Sequence, residues 1–264
     1  MGGLSGAPDA TITPRPGPGV CPACFNFMVP GERRCRACRA HPQLLSVMAA
    51  VAYAPGGGWL HRRLADYKRA SEPAVPDLAI ELAGLLSRFL GGHEACLATA
   101  AGVAGFDIVA AVPSGDARRD RIHPLRRLVA ERVPEVGGRY RHLLSTGVQS
   151  AAPRRFDPRR FVVIEDPARA NVLLIDDVWT TGATAQSAAA ALLAAGAAGV
   201  GVLVIGRYVN GSWGGISRRL SELASGGSPD RCAHCPASRT GTHSVGSRSM
   251  GPSDWPAPSA GISA

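Results

Sequence analysis

Residues 171 to 205 read NVLLIDDVWTTGATAQSAAAALLAAGAAGVGVLVI. Asn171 to Asp177 is an apolar run that closes on two acids. Its unbroken Val, Leu and Ile content is that of a strand buried on both faces, as in a parallel sheet. Ala183 to Ala195 is rich in alanine and predicts a helix, with Gly196 as its C-terminal stop. Val200 to Ile205 is a second buried strand. Strand, helix of about 13 residues, strand predicts two parallel strands joined by a right-handed crossover, so the class is α/β.

The turn inside this unit carries the chemistry. A helix N-terminus leaves backbone N–H groups unpaired and holds partial positive charge, so it suits an anion, most naturally a phosphate. Gly182 lets the backbone come close to that anion. The hydroxyls of Thr180, Thr181 and Thr184 add donors. Asp176 and Asp177 only accept, and they would repel a phosphate unless they face another part of the ligand. A ribose diol beside a 5′-phosphate meets both demands. The plainer reading is an ordinary strand-to-helix turn with capping residues. That reading explains neither the adjacent acids nor the complete Thr-Thr-Gly-Ala-Thr string.

Outward from this unit, Ser46 to Tyr53 and Phe106 to Val112 read as strands. Tyr140 to Leu144 and Phe161 to Ile164 are further strand candidates. Trp59 to Arg69 predicts a helix, as does the stretch beginning at Pro76, with Leu78, Leu82, Leu85, Leu86 and Phe89 at helical spacing and Gly91-Gly92 as its end. Arg118 to Arg132 is an Arg-rich helical candidate after the Pro113-Ser114-Gly115 turn. Gly147 to Arg160 is a basic, Pro-punctuated loop. Residues 1–19 are expected to be a disordered lead-in and 225–264 a largely disordered tail.

Seven cysteines are present. Cys21, Cys24, Cys35 and Cys38 form two C-x2-C knuckles ten residues apart, the ligand set of a tetrahedral zinc site. Four protein ligands leave no open position, so its role would be structural. This module spans residues 20–42. Cys232, His234 and Cys235 offer at most three further ligands, with His243 as a distant fourth; a second zinc site and incidental cysteines in a tail are both open. Cys96 stands alone.

The chain of 264 residues is 45% hydrophobic and 5% aromatic, enough for one sizeable core of small aliphatic packing. No apolar run reaches the roughly 18 residues that span a bilayer. The first 20 residues lack the order of a signal peptide, and a cytoplasmic protein is the default expectation. The formal charge is +9. Nearly all of the cations are arginine, as a GC-rich genome would encode, but the excess itself suits an anionic partner.

The acid pair with its Thr-Thr-Gly-Ala-Thr loop resembles the phosphoribosyl-diphosphate (PRPP) motif of type I phosphoribosyltransferases. The four-cysteine knuckle ahead of such a domain is similar to the ComF (competence protein F) family. Tyr67-Lys68, Val112-Pro113-Ser114 and the Gln149, Arg154 or Arg155, Phe161 series echo that family's segments. The resemblance implies a mostly parallel sheet flanked by helices over residues 43–224. It implies that Asp176 and Asp177 bind the ribose hydroxyls. No obvious general base stands beside the loop; from the residues themselves Asp177 is a candidate and His123 a weaker one. Thr180, Thr181, Gly182, Ala183 and Thr184 would bind the 5′-phosphate. Ser114 and Gly115, with Arg118 and Arg119, would form the diphosphate loop, and Mg²⁺ would accompany PRPP. Gly147 to Arg160 would be a hood, with Arg154, Arg155, Arg159 and Arg160 supplying charge. Where the family has an Arg-Gly-Phe-Asn-Gln-like run, this chain reads Arg121-Ile122-His123-Pro124.

Two functions follow as expectations. One is a transferase that passes phosphoribose to an unidentified acceptor and releases diphosphate. The other is a non-catalytic ComF-like accessory protein with a PRPP-sensing or relic site, whose knuckle and arginines (Arg33, Arg34, Arg36, Arg39) bind DNA or a DNA-uptake partner.

Overall fold

The computed structural model describes residues 11–29, 31–69, 76–114, 120, 123–147, 152, 154–211, 215–225 and 231–236. Four strands form the central sheet: β1 (Val47–Pro55), β2 (Ile108–Ala111), β5 (Asn171–Trp179) and β6 (Gly199–Val209). Their order is β1-β6-β5-β2 and every pairing is parallel. All four carboxyl ends therefore lie on one edge, where ligands of open α/β sheets bind. Two short strands, β3 (Leu144–Thr146) and β4 (Phe161–Val163), make a separate antiparallel pair.

Helices cover both faces. On one side α2 (Trp59–Arg69), α3 (Pro76–Ala101) and α4 (Pro124–Arg132) share a core with Leu173, Ile175 and Leu203. On the other, α5 (Ala183–Ala194) and α6 (Ile216–Ser225) pack with Leu174, Val202 and Val204. The four cysteines and the short helix α1 (Arg36–Arg39) belong to this second side, where Phe25, Phe27 and Met28 join the core. Continuous apolar strands are the natural partners of two such layers. Within the lead-in, expected to be disordered, Ile12 lies beside edge strand β1, with the Tyr53 N–H donating to the Ile12 carbonyl at 2.8 Å. Covering an edge in this way removes a template for unwanted pairing.

Several boundaries differ from the sequence expectation. β3 lies at Leu144–Thr146, while Tyr140 makes only a bridge to Val109. Pro124 opens α4 at its first turn. The largest difference is α3, which runs 26 residues, straight through Gly91-Gly92. Two interior glycines cost about 1 kcal/mol each, but the extra turns bury Leu97 and Ala98. Burying one leucine returns about 1.5–3 kcal/mol, so tertiary packing overrides local propensity. The true stop is Gly102, at φ +73°. Its N–H bonds the Thr99 carbonyl and that of Val103 bonds Ala98, the double closure that needs a left-handed residue. Gly196 closes α5 in the same way, at the residue expected as its stop.

A helix that is continuous through residue 92 makes a checkable demand. Gly92 is exposed, and nothing lies within 4 Å of where its Cβ would stand. Gly92→Ala should stabilise the protein by about 0.5–1 kcal/mol, raising Tm by about 2–3 °C. Thermal unfolding with no gain or a loss would place a break in the helix there.

Candidate functional site

The four knuckle cysteines converge from two local structures. A tight turn, in which the Phe25 N–H bonds the Cys21 carbonyl and Phe25 takes φ +57°, presents Cys21 and Cys24. The start of α1 presents Cys35 and Cys38. All four Sγ atoms lie within 4.8 Å of one another, and each residue is at most 4% exposed. Cys24 Sγ and Cys35 Sγ are 3.5 Å apart. A tetrahedral ion with Zn–S bonds of about 2.3 Å implies an edge of about 3.8 Å, so the cluster could hold a structural metal ion such as zinc. The Cys35 N–H points at Cys21 Sγ at 3.4 Å, as amides do toward bound thiolates. Four thiols at this spacing compete for charge. Hydrogen bonding with Cys24, then Cys35 and Cys38, pulls Cys21 far down, and the same crowding pushes Cys38 far up. A divalent cation resolves the competition by stabilising all four thiolates together.

At the carboxyl edge of the sheet, β5 leads through Thr180–Gly182 into α5. Gly182 has φ +86° and occupies the helix N-cap position without a side-chain cap bond. A Cβ there would stand 2.2 Å from the Trp179 ring, so both conformation and packing require glycine. Gly182 and Ala183 are buried, while Thr180, Thr181 and Thr184 keep partial exposure. The Ala183 N–H turns toward the Thr181 hydroxyl at 3.3 Å.

The acid pair sits where the pleat turns over. Ile175 belongs to the α2–α3–α4 side, and Val178 packs on that side too, although strict alternation would send it across; Trp179 lies on the other side. A similar one-residue slip falls between Val51 and Ala52 of β1. Both acids lie within the slipped interval. Asp177 is 9% exposed and pairs with Lys68 Nζ of α2 at 2.9 Å. Its N–H donates to Asp176 Oδ1 at 2.8 Å. Burial, and next the charge of Asp177, push Asp176 up to about 7. His123, just before α4, is held below the ordinary imidazole value chiefly by burial, against the pull of Asp177 and Asp120. Its Nδ1 is buried with no hydrogen-bond partner among the described residues.

Beside the acids, the end of β2 carries Ser114. Its N–H faces Asp120 Oδ1 at 3.3 Å and its carbonyl accepts from the Thr146 hydroxyl, which ties it to the β3–β4 hairpin. Gly115, Asp116, Arg118, Arg119 and Arg121, as well as Gln149 and His243, lie outside the described residues. In the expected hood, Arg160 is 7% exposed and donates to the carbonyls of Ala152 and Arg155. Its guanidinium braces the loop from within. The Asp157 N–H bonds the Ser187 hydroxyl of α5 at 3.0 Å, holding the loop against the phosphate-loop helix.

Two residues to which the sequence assigns no role in the site, Lys68 of the Tyr67-Lys68 pair and Arg207, organise it. Lys68 is the lone lysine in an arginine-rich chain, and that exception was the available signal. Arg207 interrupts the apolar strand β6. It is 1% exposed. Its Nε donates to the Cys24 carbonyl, Nη2 lies 3.4 Å from Cys24 Sγ, and Nη1 donates to the carbonyls of Trp179 at 3.0 Å and of Tyr208. One buried guanidinium thus joins the cysteine cluster to the turn after the acid pair.

No protein-family model and no curated protein matches this chain.

Replacing Arg207 by Met would remove the side-chain donor from those buried carbonyls. Loss of one partner from a buried charged contact costs about 3–5 kcal/mol, so Arg207→Met should lower Tm by about 10 °C; a shift under 2 °C would show that the link is dispensable. Asp176 makes an opposite demand. Its folded value lies above that of an unfolded aspartate, so the folded state holds more protons between about 4 and 7 and stability falls as pH rises through that window. Asp176→Asn should therefore raise Tm relative to wild type by an amount that grows from pH 5 to pH 8. An equal gain at both values would mean that Asp176 titrates normally.

Proposed function

We propose that this chain is a ComF-like, type I phosphoribosyltransferase-like protein that binds PRPP with Mg²⁺ at the carboxyl edge of the sheet and transfers phosphoribose to an acceptor, releasing diphosphate. The observation that carries this reading is the single edge itself. It carries three partly exposed threonines at a helix N-terminus, a left-handed glycine among them, and two carboxylates on the strand that leads into the turn. Phosphate oxygens fit the helix end and the hydroxyls; a ribose diol fits the acids, which can only accept.

In transfer, the bond from ribose C1 to a diphosphate oxygen breaks and its electron pair leaves with diphosphate. A new bond forms from C1 to the acceptor, whose proton passes to a base. The chain's own contribution is placement and charge. Asp176 and Asp177 hold the sugar as positive charge develops on the ring. Asp177 already faces Lys68, so that lysine can shift toward the diphosphate as the diol takes its place on the carboxylate. His123, kept neutral by burial, stands in the electrostatic reach of Asp177 as a candidate proton acceptor. Mg²⁺ arriving with PRPP supplies neutralisation of the leaving diphosphate, and the hard oxygens of the acid pair are suitable donors for it. The knuckle metal has four protein ligands and serves structure.

Calorimetric titration of the full chain with PRPP and Mg²⁺ tests the site. Asp176→Asn with Asp177→Asn should weaken binding about a hundredfold, as expected for two charge-assisted contacts. Equal affinity in the double variant, or no binding by wild type, would remove the proposal. Binding without diphosphate release across a broad acceptor screen would remove the transferase step alone.

A further inference from the structure

Cys96, alone in the sequence, is not alone in the fold. His93 and Cys96 sit one turn apart on α3, a His-x2-Cys spacing that puts both side chains on one face. Against them lies the segment 231–236, in which Cys232 and Cys235 form a C-x2-C turn closed by the Cys235 N–H on the Cys232 carbonyl at 3.3 Å. The ligand atoms of His93, Cys96, Cys232 and Cys235 all lie within 4.8 Å of one another. We propose that these four residues form a second tetrahedral metal site, of three thiolates and one imidazole, taking Zn²⁺ and fastening the C-terminal segment to α3.

The geometry argues for a metal over free thiols or a disulfide. Cys232 Sγ and Cys235 Sγ are 3.5 Å apart, Cys96 Sγ and Cys235 Sγ 3.8 Å, and Cys235 Sγ and His93 Nδ1 3.5 Å. Zn–S of about 2.3 Å and Zn–N of about 2.0–2.1 Å imply tetrahedral edges of about 3.5–3.8 Å. A disulfide would need about 2.05 Å, and it would use two of the three sulfurs and strand the third. Amides already face the sulfurs: Cys232 N–H to Cys235 Sγ at 3.2 Å and His234 N–H to Cys232 Sγ at 3.4 Å. This is the second-shell pattern that stabilises bound thiolates, and the four-cysteine cluster shows it too. The His93 ring is oriented by Phe89, edge to face at 5.2 Å. His234 is not a ligand. Its Nε2 meets the Met48 carbonyl at 2.8 Å and its ring stands against Phe25. With four cysteines in the first cluster and three in the second, all seven of the chain are placed.

The site also meets a physical need. Six described residues beyond α6 bury one cysteine fully and little else. Such a segment cannot offset its own ordering cost with apolar surface. A metal spanning residues 96 and 232 closes a very long loop, where cross-linking stabilises most in principle, and its binding energy becomes folding energy. Binding releases the thiol protons to solvent.

Metal content of the full chain, purified without a metal-affinity step and reloaded with Zn²⁺, decides the matter. Wild type should hold two ions per chain. His93→Ala with Cys96→Ser, and separately Cys232→Ser with Cys235→Ser, should each hold one. Loading with Co²⁺ should give a thiolate charge-transfer band that falls in both variants by about three sevenths at most, leaving the four-cysteine contribution. One ion per chain in wild type overturns the site even if the variants fail to fold. Two ions retained in both variants, or a disulfide among Cys96, Cys232 and Cys235 found by mass spectrometry of alkylated protein, does so equally.

Discussion

A guanidinium with almost no contact with water is the constraint around which the site is arranged. Arg207 cannot give up its charge, and an isolated cation in an apolar core costs several kcal/mol. It is tolerated because its donors reach carbonyls from two directions, Cys24 on one side and Trp179 on the other. Four thiolates around a divalent ion carry net negative charge, and Arg207 stands 3.4 Å from one of them. With a metal in the cluster, the buried cation and the thiolates would therefore compensate each other. The consequence reaches the carboxyl edge of the sheet, since the carbonyl that Arg207 holds belongs to the residue before the Thr-Thr-Gly turn. A knuckle that looks like an appendage in the sequence is a wall of the loop.

The acid pair shows the opposite economy. Asp177 has a cation; Asp176 has a backbone N–H and a neighbour of the same sign. Two carboxylates this close, set where the pleat turns over, raise each other's cost of ionisation, and for Asp176 burial adds to it. The plain reading of the turn as a capped helix start does not account for a second acid beside Asp177, held above the ordinary carboxylate value by burial and by the charge of Asp177. Gly182, by contrast, takes its left-handed conformation without strain.

How much of this was legible in sequence depends on how local each signal is. β5, the loop, α5 and β6 could be read because a parallel strand buried on both faces is written as a continuous apolar run, and its helix as alanine ending on glycine. α3 was cut short at Gly91-Gly92 because propensity is a local quantity, whereas Leu97 and Phe89 are buried by strands and helices far along the chain. Arg207 and Lys68 were visible as exceptions, one charge in an apolar strand and one lysine among arginines, but nothing local says which groups they meet. The pairing of Cys96 with Cys235 was the least legible, since its partners are 139 residues apart and only the fold brings them together.

The two clusters have a common logic in the layered architecture. The four-cysteine cluster shares the core on the α5 face of the sheet and the His93 cluster borders the core on the α3 face. Each gathers a terminal stretch that is poor in apolar surface, the knuckle from the N-terminal side and residues 231–236 from the C-terminal side. His234 links them, with its ring against Phe25 of the knuckle and its Nε2 on Met48 of β1. Sheet, helices and loop come from a core of small aliphatic side chains, which packs closely but offers few large contacts to hold peripheral segments. Coordination bonds at the two clusters would do for those segments what aromatic anchors do in other proteins, and a chain that is 5% aromatic with seven cysteines is the composition that such a division of labour would leave.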